Sequence, residues 1–305
     1  MKKVLLIAGG GTLGTYTAQE LLRLGHAVDI ICLEDNVSDN ENLRFFKANA
    51  TVEYLEELFR ENHYDGIVNF IHYGDYTKYI PYHELLSRNT DHLIFLSSYR
   101  VYADLQHPIT ETAPHLIDAI KDDELFFEKE HYSLAKSRAE RYLLDNSCPK
   151  NWTIVRPVIS FSERRFDINM VSGNTVITAA QNGTTVKLPL EAKDLIAGLD
   201  WAGNSGKLIA NLLFKKECIG EAYTISSAPN ITWGEVAEIY TELIGTQFEW
   251  VPANYGPMTF HWRYDRAYDR AIDNTKVLKA TGLGPDDFKS IREGIIIELK
   301  KYGAL

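Results

Sequence analysis

Short apolar runs alternate with amphipathic segments along residues 1–160 of the chain. A short apolar run that is bounded by turn-forming residues is typical of a strand buried on both faces of a sheet. Strands are predicted at Val4–Ala8, Ala27–Leu33, Gly66–Ile71, Leu93–Leu96 and Thr153–Val155. Helices are predicted between them at Thr15–Leu24, Val52–Asn62 and Phe126–Asn146. Because strands that alternate with helices form parallel sheets, the pattern predicts an α/β fold with a doubly wound parallel sheet.

The pattern changes after residue 160. The stretch Phe161–Val186 is irregular, and Tyr255–Tyr268 is aromatic and polar without periodicity. Further regular elements are predicted as a strand at Ala222–Ile225 and helices at Gly203–Phe214, Thr232–Ile244 and Ser290–Tyr302. We therefore expect one domain over 1–160, to which the chain returns around 195–230, and a smaller, interleaved domain formed mainly by 161–305.

Charge narrows the range of partners. The 305 residues carry a formal net charge of -10, and the lysines and arginines are scattered along the chain. Such a surface repels a phosphate backbone, so nucleic acid is not an expected partner. The apolar run near the N-terminus is too short to span a membrane and lacks the cleavage region of an export signal. We expect a cytoplasmic protein with a small-molecule substrate and no membrane partner.

The cysteines do not indicate a metal site or a disulfide framework. Cys32, Cys148 and Cys218 are odd in number and widely spaced, and no C-x-x-C pair occurs. We therefore expect no metal and interpret them as thiols in a reducing compartment.

A glycine string stands between the first predicted strand and the first predicted helix. Glycines allow a tight turn and a close approach of the backbone to a pyrophosphate, which the positive end of the following helix stabilises. A purely structural turn is the alternative, since any sharp turn between a strand and a helix favours glycine. The position after a Val/Leu/Ile strand favours a dinucleotide site of the Rossmann type, with 1–160 as the dinucleotide-binding domain and 161–305 mainly binding substrate. The predicted contacts are Gly9, Gly11, Thr12, Leu13 and Gly14.

The second strand is expected to end in a residue that binds the adenosine ribose. It ends in Cys32-Leu33-Glu34-Asp35. A carboxylate here can accept from the ribose 2′-hydroxyl and repels a 2′-phosphate, and no Arg or Lys follows closely in the sequence. Glu34 and Asp35 therefore favour NAD over NADP, although Cys32 stands where the acid itself is expected.

A candidate acid/base pair lies in the segment Phe126–Asn146, where Tyr132 and Lys136 are four residues apart and so share one face of a helix. An ordinary phenol titrates near ~10, and a neighbouring ammonium stabilises the phenolate, which allows proton transfer at neutral pH. The same spacing also occurs in exposed Tyr/Lys pairs without a function. Ser98 favours the catalytic interpretation, because it follows the strand Leu93–Leu96 at the edge where α/β sheets bind their ligands.

The order of these motifs resembles the extended short-chain dehydrogenase/reductases, the NAD-dependent epimerase/dehydratase family. The similar segments are the glycine turn, Ser97-Ser98-x-x-Val101-Tyr102, Tyr132-x-x-x-Lys136, Arg156-Pro157, Gly220–Ser227, Ile231-Thr232-Trp233 and Asp273-Asn274-Thr275-Lys276. They extend over nearly the whole chain. The stretch between Ile71 and Leu93 is short and poor in helical pattern, which resembles the sub-branch that contains the chloroplast stem-loop RNA-binding proteins.

The resemblance implies roles for individual residues. Ser98 would polarise the substrate oxygen, Tyr132 would transfer the proton, and Lys136 would bind the nicotinamide ribose and tune the tyrosine. Pro157 and Val158 would meet the nicotinamide carboxamide through their backbone.

The chain also departs from the family pattern. Ala8 replaces a glycine that often starts the turn, and His72 stands where small residues usually line the cofactor. Ile159 replaces an asparagine that is common in nucleotide-sugar enzymes, which weakens that interpretation of the substrate.

Candidate substrate contacts are Tyr99, which follows Ser98, and the arginines Arg164 and Arg263. Guanidinium groups suit phosphate. For Arg263, a salt bridge within the charged segment 263–270 is an equally good explanation.

The leading function is an NAD-dependent epimerase or reductase that moves a hydride to or from a carbonyl or alcohol carbon of a sugar-like substrate, nucleotide sugars included, or of another small substrate. The alternative is a catalytically silent dinucleotide-sensing or RNA-associated binding protein. Dehydratase chemistry is disfavoured, because Tyr99 and Arg100 stand where the resembled dehydratases carry an acid. The resemblance also suggests a homodimer formed through the helix that carries Tyr132.

Overall fold

The computed structural model describes residues 1–253 and 262–305. Numbered in chain order, the strands of these residues are β1 (Lys3–Ile7), β2 (Ala27–Cys32), β3 (Leu43–Lys47), β4 (Tyr64–Asn69), β5 (Thr90–Leu96), β6 (Trp152–Pro157), β7 (Ile159–Phe161), β8 (Thr185–Pro189), β9 (Leu199–Trp201), β10 (Ala222–Ile225) and β11 (Gln247–Val251). Seven of them form one parallel sheet in the order β10-β6-β5-β4-β1-β2-β3. The order reverses between β1 and β4, which is the switch point of a doubly wound sheet. The predicted Rossmann-type fold is confirmed.

Helices cover both faces of this sheet, because its central strands are apolar on both sides. The helices of the described residues are α1 (Thr12–Arg23), α2 (Val52–Glu61), α3 (Tyr79–Arg88), α4 (Leu116–Ala119), α5 (Glu124–Lys129), α6 (His131–Asn146), α7 (Gly173–Asn182), α8 (Ala202–Leu212), α9 (Trp233–Ile244), α10 (Thr275–Thr281) and α11 (Ile291–Tyr302). One face packs on α1, α8 and α10, and the other packs on α2, α3 and α6. None of the helices in 1–253 and 262–305 has the length and apolar character needed to cross a bilayer.

Elements from the second half of the chain pack around a further apolar core. It contains side chains from α7, α9 and α11, together with the strand pairs β7/β9 and β8/β11. The chain also returns to the main sheet, where β10 pairs with β6. The proposed domain boundary near residue 160 stays a prediction.

The predicted single helix over Phe126–Asn146 is wrong, because it is divided at Glu130. The backbone of Glu130 has φ -85° and ψ 71°, outside the helical region. Its carboxylate accepts the Ser133 N–H at 2.9 Å, which caps α6, and its other oxygen accepts from Arg100 at 2.9 Å. The capping bond and the buried ion pair outweigh the continuous helical pattern.

Two other segments contain helices that the sequence pattern did not predict. The stretch Phe161–Val186 includes α7, which begins after the capping residue Ser172 and ends before Gly183, whose φ is 63°. The stretch between Ile71 and Leu93 is not helix-poor, since it contains α3 with Pro81 in its first turn, where proline is tolerated. The resemblance to the RNA-binding sub-branch therefore loses its basis.

Candidate active site

The glycine turn joins β1 to α1 at the carboxyl edge of the sheet. A Cβ on Gly14 would lie 2.2 Å from the Gly9 carbonyl oxygen, so the strand and the helix approach as closely as glycine allows. Gly11 is the N-cap of α1. Because glycine has no side chain, the capping residue gives no hydrogen bond to the N–H groups of the first turn. A Cβ on Gly11 would meet no atom within 4 Å. Open space in front of unpaired N–H groups fits a phosphate group.

Ala8, at the end of β1, adopts the left-handed backbone region with φ 56°. This conformation costs a residue with a Cβ about 1–2 kcal/mol relative to the right-handed form. The observation gives the physical reason why a glycine at this position is favourable, and it shows that the methyl group is nevertheless accommodated.

A cavity of about 440 Å³ opens in front of the switch point. Its wall combines the glycine turn, the ends of β5 and β6, and one residue of α6. Of the residues predicted from the sequence, those on this wall are Gly11, Thr12, Leu13, Gly14, Ser98, Tyr99, Tyr132, Pro157 and Val158. Gly9 lies behind the wall, where a Cβ would be 2.7 Å from that of Leu6. The structure therefore brings most of the predicted cofactor and catalytic residues to one place.

A second cavity of about 270 Å³ lies on the other side of the glycine turn and shares Ala8 and Gly11 with the first. Glu34 is on its wall, and a Cβ on Gly10 would be 2.9 Å from a Glu34 carboxylate oxygen. Asp35 points elsewhere: its carboxylate pairs with Lys47 at 3.1 Å and its side chain is 78% exposed. The sequence predicted no cation near Glu34 and Asp35. This prediction is wrong, because β3 pairs with β2 and brings Lys47 next to Asp35.

Ser98 caps the turn that follows β5. Its Oγ accepts the Arg100 N–H at 3.2 Å, and the residue is 6% exposed. Among the described residues no acceptor takes the Ser98 hydroxyl proton, so this proton can be donated to a ligand oxygen. Ser97 lies on the same cavity wall, and its buried Oγ has no partner within the described residues.

Tyr132 and Lys136 lie one turn apart on α6. Lys136 is 3% exposed, and its Nζ donates to the Leu96 carbonyl oxygen at 2.5 Å, which ties α6 to the end of β5. Burial lowers the pKa of the Lys136 ammonium to about 8, although Glu140 opposes the change. The lysine is therefore a buried ammonium with a lowered pKa, and strongly perturbed pKa values are typical of functional sites.

Two further side chains pack on the Tyr132 ring. The His72 ring centre is 4.8 Å away, and the Arg100 guanidinium carbon lies 5.1 Å from the ring centre. Partial burial and the Lys136 ammonium lower the pKa of His72, so this imidazole is neutral at physiological pH. His72 is thus placed beside the candidate acid/base residue, outside the wall of the main cavity.

The three candidate substrate residues have different positions. Tyr99 is buried on the cavity wall and donates to Asp265 at 2.6 Å. Arg164 reaches the glycine turn instead, where its guanidinium donates to the Gly10 carbonyl at 2.6 Å. Arg263 is 60% exposed and pairs with Asp123 at 3.4 Å, away from the cavity wall and outside the segment 263–270 in which the alternative placed its salt bridge. The predicted segment Tyr255–Tyr268 lies in part, at 255–261, outside the described residues.

Sequence reasoning missed a buried network centred on Asp265. This carboxylate lies 2.7 Å from Arg266 and 3.5 Å from Arg100, and it accepts the Tyr99 hydroxyl. Burial alone would raise the pKa of Asp265, yet the guanidiniums of Arg266, Arg100 and Arg270 lower it below its ordinary value. A dense run of charged and aromatic residues at 263–270 was the available signal, but Arg100 is too far away in sequence for a local pattern to link it to this run.

No protein-family model and no curated protein matches the chain. Solved structures do match it over almost its whole length. A dTDP-glucose 4,6-dehydratase from Bacillus anthracis in complex with NAD is 18% identical, with a TM-score of 0.75 over 99% of this chain and 97% of that one. A UDP-glucose 4-epimerase from Thermus thermophilus in complex with NAD is 17% identical, with a TM-score of 0.69 over 99% of each chain.

A UDP-glucose 4-epimerase from Stenotrophomonas maltophila with bound NAD is 14% identical, with a TM-score of 0.75 over 99% of this chain and 98% of that one. These likenesses show that the chain has the same fold as these epimerases and this dehydratase. The resemblance stated from the motifs is therefore confirmed at the level of the fold.

Proposed function

We propose that this chain is an NAD-dependent enzyme that transfers a hydride to or from a carbinol or carbonyl carbon, as an epimerase or a reductase. The observation that carries the proposal is the shared cavity wall, on which the glycine turn, the end of β6, Ser98 and Tyr132 meet. Structures of the same fold that were solved with NAD support the choice of cofactor.

The residues around the glycine turn fit a dinucleotide. The first turn of α1 and the open space at Gly11 would take the pyrophosphate, with the Arg164 guanidinium beside them. Glu34 would accept from the adenosine ribose, and Val158 would lie against the nicotinamide. When bound, NAD would supply the acceptor for a hydride from the substrate carbon.

The catalytic side chains would then handle the substrate oxygen and its proton. Ser98 would donate its hydroxyl proton to that oxygen and hold it in place. Tyr132 would accept the proton as an alcohol is oxidised and return it as a carbonyl is reduced. Lys136 would keep a positive charge behind Tyr132. The hydrogen bond from Lys136 Nζ to the Leu96 carbonyl oxygen would hold this charge in position.

The test compares Tyr132→Phe with Tyr142→Phe. Tyr142 is the matched control, since it lies on the same helix with similar partial burial but packs on His83, away from the cavity. We expect Tyr132→Phe to lower turnover about 10²–10⁴-fold with unchanged NAD affinity, because only the proton carrier is lost. Turnover would be followed by the absorbance of reduced nicotinamide and by product analysis over a panel of sugars and hydroxy acids, and NAD affinity by calorimetry.

The outcomes separate the alternatives. A net change in reduced cofactor, consumed with a carbonyl substrate or formed with an alcohol, indicates a reductase, and substrate conversion without such a change indicates an epimerase. NAD binding without conversion of any compound in the panel would favour the silent dinucleotide-binding protein. If Tyr132→Phe kept more than a tenth of the wild-type turnover, the catalytic assignment would be wrong. The homodimer and the cytoplasmic location stay predictions.

A further inference from the structure

The part of the cavity wall formed by Arg100, Asp265 and Arg266 carries an excess of positive charge. Arg270 lies behind it, 2% exposed, with Nη2 4.0 Å from Asp265 Oδ1. We call Arg100, Arg266 and Arg270 the arginine cluster. Its three guanidiniums share the two buried carboxylates of Asp265 and Glu130. Within the described residues, these three guanidiniums carry one more charge than the two carboxylates.

Neighbouring residues do not remove this excess. Arg165, also on the cavity wall, pairs with Asp167 at 2.9 Å, which adds one cation and one anion. Residues 254–261, outside the described part of the chain, contain no Asp or Glu in their sequence. An excess of buried positive charge is costly unless an anion binds beside it. The cluster thus favours a negatively charged ligand.

Arg266 also has donor capacity left for such a ligand. Its Nε donates to the Asn169 carbonyl at 3.1 Å, and its Nη1 donates to Tyr99 Oη at 2.9 Å and Asp265 Oδ2 at 2.7 Å. No residue in the described ranges accepts from Nη2, although the side chain is only 10% exposed and lines the cavity. This nitrogen is not among the fully buried atoms without a partner, so it is open to solvent and can donate a charge-assisted hydrogen bond to a ligand in the cavity.

The size of the cavity favours a small ligand. About 440 Å³ lies near the lower end of the ~300–1,000 Å³ usual for ligand pockets, and this space has to take the nicotinamide end of the cofactor as well. Ile159, which is 4% exposed, adds to the wall an apolar side chain that offers no hydrogen bond to a polar sugar or base. Both observations argue against a bulky nucleotide sugar.

We infer that the substrate of this site is a small hydroxy or keto compound with one terminal oxyanion, which Arg266 binds while Ser98 and Tyr132 reach the oxidisable carbon. A carboxylate and a phosphate ester share this chemistry. The inference rests on the proposed function. Ser98, Tyr132 and Arg266 line the same cavity, so one ligand can contact all three side chains.

The test titrates the full-length protein with glycerate, glycerol phosphate, glycerol and UDP-glucose by calorimetry, at constant ionic strength, with and without saturating NAD. We expect glycerate or glycerol phosphate to bind and glycerol to bind far more weakly. Arg266→Gln is expected to weaken anion binding at least tenfold, because a charge-assisted hydrogen bond is lost. Arg266→Lys is expected to recover part of the affinity. Arg138→Gln, which changes an exposed arginine of α6, is the control for the loss of a charge.

Asp265→Asn provides a variant with the opposite expected sign. It removes a negative charge from the cluster, so anion binding is expected to stay equal or to become tighter, whereas a purely structural role predicts a loss in both variants. Circular dichroism and the melting temperature would check that each variant folds. If Arg266→Gln does not fold, the Asp265→Asn result decides.

The inference is overturned if Arg266→Gln binds both anions within twofold of wild type, if Asp265→Asn weakens anion binding, or if UDP-glucose alone binds. The preference between glycerate and glycerol phosphate identifies the oxyanion. Titrations without NAD keep this result separate from the proposed function, because failure to bind NAD would count against the function and leave the anion measurement intact.

Discussion

Lys136→Met replaces a buried ammonium with an apolar side chain of similar length, and we expect it to stabilise the ligand-free protein at neutral pH. The wild-type lysine is 3% exposed and has one hydrogen bond, to the Leu96 carbonyl. Burial lowers its pKa from 10.5 to about 8. The buried ammonium thus lowers the stability of the folded protein. Active-site residues often have this effect, because function requires them where they are.

The magnitude follows from the pKa. At about 1.4 kcal/mol for each tenfold change in a proton equilibrium, the lowered pKa corresponds to an upper bound of about 3 kcal/mol. Loss of the bond to the Leu96 carbonyl removes roughly 1–2 kcal/mol. The free energy of unfolding of Lys136→Met is therefore expected to exceed that of wild type by about 1–2 kcal/mol at pH 7.

The dependence on pH identifies the cause. Between the folded pKa near 8 and the unfolded pKa near 10.5 the unfolded wild type binds more protons, so its stability rises with pH in this window. The advantage of Lys136→Met is fully present below pH 8 and is expected to disappear by about pH 10. Urea unfolding of both proteins at pH 7, 8, 9 and 10 measures it.

Lys129→Met is the matched control, because it changes an exposed lysine on α5. Its free energy of unfolding should stay within about 0.5 kcal/mol of wild type at each pH. If the difference between Lys136→Met and wild type were the same at pH 7 and pH 10, the lysine would not be a buried cation in solution, and the reasoning would be refuted.

Two other predictions concern the residues proposed to bind the cofactor. Gly14→Ala should lower the free energy of unfolding by about 1–3 kcal/mol, because its Cβ would overlap the Gly9 backbone. Gly11→Ala should keep the stability and weaken NAD binding, because its Cβ would fill the open space in front of α1. Melting curves and calorimetry measure both effects, and equal stabilities of the two variants would contradict the close packing at Gly14. The wild type should bind NAD more tightly than NADP. Glu34→Gln should reduce that preference severalfold and Asp35→Asn should not, because of the two only Glu34 lies on the wall of the second cavity. Titration with both cofactors measures the preference, and its loss in Asp35→Asn alone would reverse the assignment.

The sequence by itself was enough to predict the first strand, the glycine turn and the helix that follows it, and the residues that this turn requires. Periodicity and glycine spacing are local properties, and a strand, a tight turn and a helix within the first residues of a chain form one local unit. The same holds for Tyr132 and Lys136, whose spacing places them on one helix face whatever the rest of the chain does.

Weak local patterns limited the prediction elsewhere. The edge strand β3 was missed because its sequence Leu43–Lys47 places two phenylalanines side by side between Arg44 and Lys47 and so shows no alternation, while charged residues are common on edge strands. The division of the long predicted helix at Glu130 was also missed. It depends on Arg100, which is distant in sequence and draws the Glu130 carboxylate into the protein interior.

The tertiary structure decided which charges meet at the site. Lys47 reaches Asp35 across the sheet, Arg164 reaches the carbonyl of Gly10, and Arg100 meets Asp265 on the cavity wall. Each pair joins segments that are separate along the chain, and long side chains can pair with any opposite charge that packing brings near. Such contacts are fixed by how the elements pack, because the free energy of burying a charge depends on every neighbour that surrounds it.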